Sequence, residues 1–298
     1  MGVCQSKDMA ICLVIFNPTK SKRIIQNYFT MKEKLKDFPI FTLELVYDYD
    51  ENKPEISDAF HIYGKGIMFH KENLCRILET KIPSKFKKLV FLDADIIFND
   101  IKWYEKTSKL LDSYDVVQLF DKCHWLNTKG EITLTRESVL HMNSKVYDSK
   151  YHPGFGWGFR REWYNKIGFF DYALSGSGDA LSVIKWLNKS LPKNYKSIPK
   201  SIQKEFDKYC PTLPKITYLK DVEVSHLYHG SRQNRQYVDR HELLNINEDI
   251  KNLLNISKDG LFEWKYNILN YRFMNYFISR KDDEDEDIIH VKIINETS

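Results

Sequence analysis

Apolar runs and amphipathic stretches alternate along this chain. "AICLVIFNPT" (10–19) is an apolar run stopped by Asn17 and Pro18, the pattern of a buried strand that ends in a loop. The next stretch, "KSKRIIQNYFTMKEKLKDF", carries Ile24, Ile25, Tyr28 and Leu35 at helical spacing. "FTLELVYD" predicts a second strand and "KKLVFLDADIIF" a third. Between them "MFHKENLCRILETKI" predicts a second helix, with Met68, Leu74, Ile77 and Leu78 as its apolar stripe. This order predicts an α/β fold with a mostly parallel central sheet and helices on both faces. In such sheets ligands gather beyond the carboxyl ends of the strands. Asn17, Asp48 and the pair Asp93/Asp95 fall at those ends.

Farther along, residues 121–150 are polar and weakly periodic and read as loop with short strands. In "YHPGFGWGFRREWYNKIGFFDYALSGSGDALSVIKWLN", Gly154, Gly156 and Gly158 alternate with Phe155, Trp157 and Phe159. Glycine weakens a strand, so the pattern predicts a backbone that something approaches closely. "SGSGD" puts Asp179 at a loop-to-helix junction, where it could cap the following helix. The lysine- and proline-punctuated stretch 190–220 reads as a loop or lid, and "RKDDEDED" as a solvated, mobile acidic tail. The chain thus divides into an N-terminal tail (1–9), one domain (10–270), and a C-terminal helix with the acidic tail (271–298).

Composition narrows the chemistry. Apolar content of 42% and aromatic content of 14% over 298 residues indicate a globular protein with a sizeable core. The net charge of +4, with no arginine or lysine block, argues against nucleic acid while leaving room for a local anion pocket. Five scattered cysteines without a C-x-x-C spacing argue against a zinc site and predict a reduced, cytoplasmic setting. There is no apolar run of about 18 residues, so no transmembrane helix is expected. The sequons at Asn188, Asn255 and Asn295 would then stay unmodified. "MGVCQS" fits a loose N-myristoylation pattern through Gly2 and Ser6, with Cys4 open to palmitoylation, which would add peripheral membrane association.

"LDADIIF" carries the sharpest chemistry. In an extended chain Asp93 and Asp95 share a face, roughly 7 Å apart. Two like charges on one face repel unless a cation joins them, and a divalent metal is the simplest one. The alternative is a turn or cap at a strand end.

With these segments in hand the chain resembles the metal-dependent nucleotide-sugar glycosyltransferases of the GT-A fold. "FLDADIIF" resembles their D-x-D strand, and "HPGFGWGFRREWYNKIGFFDYALSGSGD" is similar to a segment of galactosyltransferase-like members. "HLYHG" resembles their C-terminal histidine motif. "FNPT", "MFHKENL" and "HGSRQNRQY" look like a bacterial and viral subgroup, and the likeness covers about residues 10–270. It implies a Rossmann-like nucleotide-diphospho-sugar transferase fold with a C-terminal helical extension. It also implies transfer of a hexose or N-acetylhexosamine from a UDP-sugar to a hydroxyl on a glycan or glycoconjugate, with Mn²⁺ or Mg²⁺ required.

The resemblance also implies roles. Asp95 would bind the metal, and Asp93 would contact the ribose or share the ion. His226 and His229 are three residues apart, so on one strand only one can ligate. His229 is preferred, because Gly230 permits a tight turn beside it. Asp179 would be the base that takes the proton of the acceptor hydroxyl. The family usually has a Glu-Asp pair at this point, whereas this chain has Ser177-Gly178-Asp179, and inverting and retaining chemistry both stay open. Arg235 and Lys71 are assigned to the diphosphate, Asn17 and Asp48 to uracil and ribose, and Trp125 and Trp157 to the sugar face. Two rival readings remain. A nucleotidyltransferase would want a glycine-rich loop after the first strand, and "FNPTKSK" has no glycine. A non-catalytic glycan- or nucleotide-sugar-binding module would keep the fold without turnover.

Overall fold

A computed structural model describes residues 8–51, 53–191, 198–237 and 239–285. Gly2, Cys4, Ser6 and Asn295 lie outside the described residues. The first apolar run is strand β1 (Met9–Phe16), and the amphipathic stretch after it is helix α1 (Lys22–Lys34). Then follow β2 (Ile40–Tyr47), β3 (Phe60–Gly64), α2 (Lys71–Lys81) and β4 (Lys88–Leu92). The predicted third strand is broken: Asp93–Asp95 form a turn, and a separate strand β5 (Ile96–Phe98) starts beyond it. Strand β3 is short and half-exposed, so no clear periodicity announces it.

Beyond β5 come α3 (Trp103–Leu110), β6 (Val116–Gln118), β7 (Lys122–Leu126) and β8 (Ile132–Glu137). Next are β9 (Gly156–Arg160), α4 (Arg161–Lys166), α5 (Gly178–Trp186) and α6 (Lys200–Lys208). The chain continues through β10 (Ile216–Tyr218), β11 (Glu223–His226), α7 (Ile250–Leu253), β12 (Leu254–Ile256), β13 (Phe262–Trp264) and α8 (Asn267–Ser279).

The central sheet has seven strands in the order β10-β6-β9-β4-β1-β2-β3. All neighbours run parallel except around β9, which is antiparallel to both β4 and β6. The fold is therefore α/β with a mixed, mostly parallel sheet. The side chains of β1 alternate between two cores: Ala10 and Cys12 face the side packed by α2, α5 and α8, and Ile11 and Leu13 face α1 and α3. Burial on both faces is why β1 reads as an unbroken apolar run.

Reversal of β9 places its start beside the end of β4, with Gly156 opposite Leu92. Asp93 N–H donates to Phe155 O at 2.9 Å, so residues 152–155 lie beside the D-A-D turn. A side chain at Gly156 would meet Leu92 and Leu119, and one at Gly158 would meet Thr107. The close approach predicted for the glycine repeat is therefore made by core side chains at these two positions, and only Gly154 faces functional groups.

A second sheet, β5-β11-β7-β8, stands beside the first. It pairs His226 with Ile96 on one side and Trp125 on the other. Helix α8 buries Leu269, Phe273, Tyr276 and Phe277 in the main core. Among the described residues no helix is long and apolar enough to cross a membrane. Cys12, Cys75, Cys123 and Cys210 are buried and unbonded.

The start of the acidic tail is docked, not solvated. Asp282 is buried and pairs with Arg280 at 3.1 Å. Asp283 accepts hydrogen bonds from Ser21 Oγ (2.7 Å), Lys22 N (3.1 Å) and Arg23 N (2.9 Å), capping α1 from outside. A carboxylate there satisfies otherwise unpaired amides and meets the positive end of the helix. Asp283→Ala should cost about 1 kcal/mol in urea denaturation, and a cost near zero would show that the tail adds nothing to α1.

Candidate active site

A cavity of about 530 Å³ opens beyond the carboxyl ends of β1 and β4. One wall carries Asp95, His226 and His229. Asp95 Oδ2 lies 2.8 Å from His229 Nε2 and 3.5 Å from His226 Nε2, and the two ring nitrogens are 3.1 Å apart. Asp95 Oδ1 is buried without a hydrogen-bond partner. Leu227 N–H donates to Asp95 O at 2.9 Å and ties the D-A-D turn to the end of β11.

Because β11 ends at His226, the alternation of strand faces no longer applies at His229. The chain turns and brings its ring back beside His226, so both imidazoles reach Asp95. Gly230 has φ +89°, and a side chain there would press on the backbone of Asp282, 3.0 Å away. Arg235 braces the turn: it donates to His229 O at 2.8 Å, touches His229 Nδ1, and lies 3.6 Å from Asp282.

Electrostatics favour ligation on this wall. Burial pushes His226 down to about 3, and burial together with Arg235 lowers His229, so both rings are neutral at pH 7. Burial alone would raise Asp95, but His226, His229 and Arg235 outweigh it and hold the carboxyl below its usual range. One anionic oxygen and two neutral imidazole nitrogens fit a divalent transition ion such as Mn²⁺ better than Mg²⁺, which prefers an all-oxygen shell. The unpartnered Oδ1 fits the same reading.

The opposite wall is built around Lys71, at the first turn of α2. Its Nζ lies 2.5 Å from Asp93 Oδ1 and 2.8 Å from Asp179 Oδ2. The D-A-D turn thus sends its two carboxylates to different partners, Asp93 to Lys71 and Asp95 to the histidines. Asp179 does not cap α5; Ser177 occupies the cap position, and the Asp179 carboxylate goes to Lys71. Asp179 Oδ1 and His152 Nε2 are both buried without a hydrogen-bond partner, on residues that line the cavity. Gly154 separates them, its missing side chain leaving room 3.1 Å from Asp179 Oδ2 and 3.3 Å from His152 Nε2.

A third acid completes this wall. Glu72 is buried beside Asp179, and its carboxyl fills the space a side chain at Gly178 would take. Burial, then Asp179, push it up to about 8. Burial also raises Asp93, to about 6, with Lys71 opposing the rise. Lys71 itself is held well above its ordinary value: burial opposes this, and Asp179 and Asp93 overcome it.

Three predicted residues stand apart from the cavity. Asn17 is buried, with Nδ2 donating to Ser21 O and Glu55 Oε2 and Oδ1 accepting from Ser21 N, so its polar atoms hold a loop. Asp48 is exposed in a single turn after β2, outside the cavity lining. Trp157 is a core residue, edge-on to Trp186, with Nε1 donating to Pro153 O. Trp125, Lys71, Asp93, Asp95, Asp179, His229 and Arg235 do line the cavity.

Sequence reasoning assigned no role to Glu72, His152, Arg136 or Asp282. Glu72 had a legible signal, lying four residues after Met68 and three before Cys75 on the buried side of α2. The others depend on long-range packing.

No family model matches the chain, and no curated protein does. Among solved structures, a Drosophila β-1,4-galactosyltransferase 7 mutant in complex with manganese, UDP-Gal and xylobiose is similar at 12% identity and TM-score 0.37. That match covers 62% of this chain and 65% of the other, just under two thirds of its length. Glucosyl-3-phosphoglycerate synthase from Mycobacterium tuberculosis, with Mn²⁺, UDP and phosphoglyceric acid, matches at 12% identity and TM-score 0.35, over 72% and 68% of the two chains. A 4-diphosphocytidyl-2C-methyl-D-erythritol synthase from Anaerococcus prevotii matches at 10% identity and TM-score 0.35, over 61% and 86%.

Proposed function

We propose that the chain is a metal-dependent glycosyltransferase that moves a hexose or N-acetylhexosamine from a UDP-sugar to a hydroxyl acceptor. The observation that carries this reading is the pairing of two chemistries across one cavity. Asp95, His226 and His229 offer a cation site on one side, and Asp179, with a free oxygen, faces them from the other. An ion held there would supply Lewis-acid stabilisation of the charge that grows on a departing diphosphate.

The residues of the chain do the rest. Asp179 accepts the proton of the attacking hydroxyl at Oδ1, while Lys71 holds the other oxygen. Asp93 holds Lys71 in place from the far side. Arg235 keeps the His229 turn rigid beside the diphosphate and carries positive charge toward it. His152 Nε2 is free to hydrogen-bond a sugar hydroxyl. The tryptophan suited to a sugar face is Trp125.

Thermal-shift binding of UDP-, GDP- and CMP-sugars, each with and without Mn²⁺, tests the reading. Stabilisation by a UDP-sugar only with metal is expected, of about 2.7 kcal/mol at a hundredfold excess over Kd. No response from any nucleotide would sink the donor site and favour a glycan-binding module. Metal-dependent donor hydrolysis separates an enzyme from a module that binds without turnover.

A further inference from the structure

The cations of the cavity differ in how they are used. Lys71 is held by Asp93 and Asp179, Arg235 and Arg280 by Asp282, and Arg240 donates to Ser177 Oγ at 3.0 Å. Arg136, on β8, and Arg232, just after Gly230, have no carboxylate partner among the described residues. Arg136 donates only to a carbonyl, Ser149 O, at 2.7 Å. Both guanidiniums lie over the ring of Trp125, at 5.7 Å and 5.5 Å from its centroid. Burial and the nearby Arg136 charge lower the pKa of Arg232, the signature of like charges held close. Arg232 is exposed and Arg136 half-exposed, so water screens part of this repulsion, and an anion between them would relieve the rest.

The position of Trp125 indicates which part of a substrate this would be. Its ring lies 4.8 Å from that of His152 and 6.2 Å from that of His226, so it spans the gap between the Asp179 wall and the Asp95 wall. Arg136 is anchored to the segment that leads to His152 and Gly154, beside Asp179. An acceptor whose hydroxyl reaches Asp179 would lay its ring near Trp125 and its substituents between the two arginines. Guanidinium forks match both carboxylate and phosphate oxygens.

We propose that Arg136 and Arg232, spread over Trp125, bind a negatively charged group on the acceptor, so that the acceptor is an acidic or phosphorylated sugar and not a neutral glycan. The acceptor assignment rests on the transferase reading above; the anion clamp itself does not.

Calorimetric titration of the metal-free protein with glucuronate, glucose 6-phosphate and glucose tests the clamp, and the first two probes separate a carboxylate from a phosphate preference. At least one charged probe should bind about tenfold or more tighter than glucose. The preference should vanish in the double variant Arg136→Gln/Arg232→Gln and persist in Asp95→Asn. UDP binding with Mn²⁺ should be unchanged in the double variant. Equal binding of glucose and both charged probes would overturn the proposal. So would loss of UDP–Mn²⁺ binding in the double variant, which would assign the arginines to the donor diphosphate. Absence of UDP–Mn²⁺ binding in the wild type, with the charge preference intact, would support the clamp and overturn its assignment to an acceptor together with the transferase reading. Since both side chains lie at the cavity wall and hold no ion pair among the described residues, the double variant should fold, and its melting temperature checks this.

Discussion

Asp95→Asn is expected to weaken Mn²⁺ binding by about 100-fold or more and to abolish metal-dependent UDP-sugar binding with the fold intact. Among the described residues Asp95 alone has a carboxylate within 3.5 Å of either imidazole; Asp282, 4.0 Å from His229 Nδ1, is engaged by Arg235 and Arg280. Asparagine keeps the shape, and the hydrogen bond that ties the turn to β11 uses the main-chain carbonyl, which the substitution leaves alone. Titration of the metal-free variant with Mn²⁺ gives the answer directly. Undiminished affinity would move the cation site elsewhere, with Asp93 the next position to examine. Asp93→Asn should have a smaller effect, because that carboxylate is engaged by Lys71.

Lys71→Met should produce the second large effect, this time on stability. The substitution leaves Asp93, Asp179 and Glu72 in one wall without their cation. Removing one partner of such a group costs about 2–4 kcal/mol at pH 8, a range lowered from that of fully buried pairs because the cavity admits water. The loss should shrink on acidification. Burial raises Glu72 to about 8 and Asp93 to about 6, so both bind protons in the folded protein well above their unfolded values. Stability linked to those protons is complete below the unfolded carboxylate range and is lost as pH rises through 6 and then 8. Once Glu72 and Asp93 are protonated they no longer need Lys71, so the gap between wild type and variant should narrow between pH 8 and pH 5. Comparing the two proteins at each pH cancels the opposing contribution of the buried histidines. A difference that is constant with pH, or larger at pH 5, would refute this account.

Much of the frame was legible because burial on both faces leaves long apolar runs. β1, β2, α1 and α2 follow from local pattern, and their carboxyl ends mark where a site can form. The D-A-D segment was recognisable as chemistry. Its geometry was not, because a turn replaces the strand and sends Asp93 and Asp95 to different partners. Asn17, Asp48 and Trp157 do not line the cavity: the polar atoms of Asn17 hold a loop, Asp48 stands exposed in a turn, and Trp157 is packed in the core, none of which position at a strand end or type of side chain reveals. The acidic run misled in the other direction. Read alone it is solvated charge, yet Asp282 is buried against Arg280 and Arg235 and Asp283 caps α1.

Local pattern was enough for the α/β class, for the ends of the first strands as the candidate edge, and for the candidate residue types: a carboxylate pair, histidines near a glycine, and Asp179 at a helix start. These are local properties, set by spacing of two to four residues. Which of them meet depends on the folded chain. It joined Asp95 to both His226 and His229 through the pairing of β5 with β11, and it reversed β9 so that residues 152–155 face Asp179. It also placed Glu72 in the space left by Gly178 and gathered Arg136 and Arg232 over Trp125. Several of these contacts join residues about a hundred positions or more apart, such as Asp95 with His226 and Glu72 with Gly178, and packing, which depends on the whole chain at once, selects among the many partners each side chain could have had.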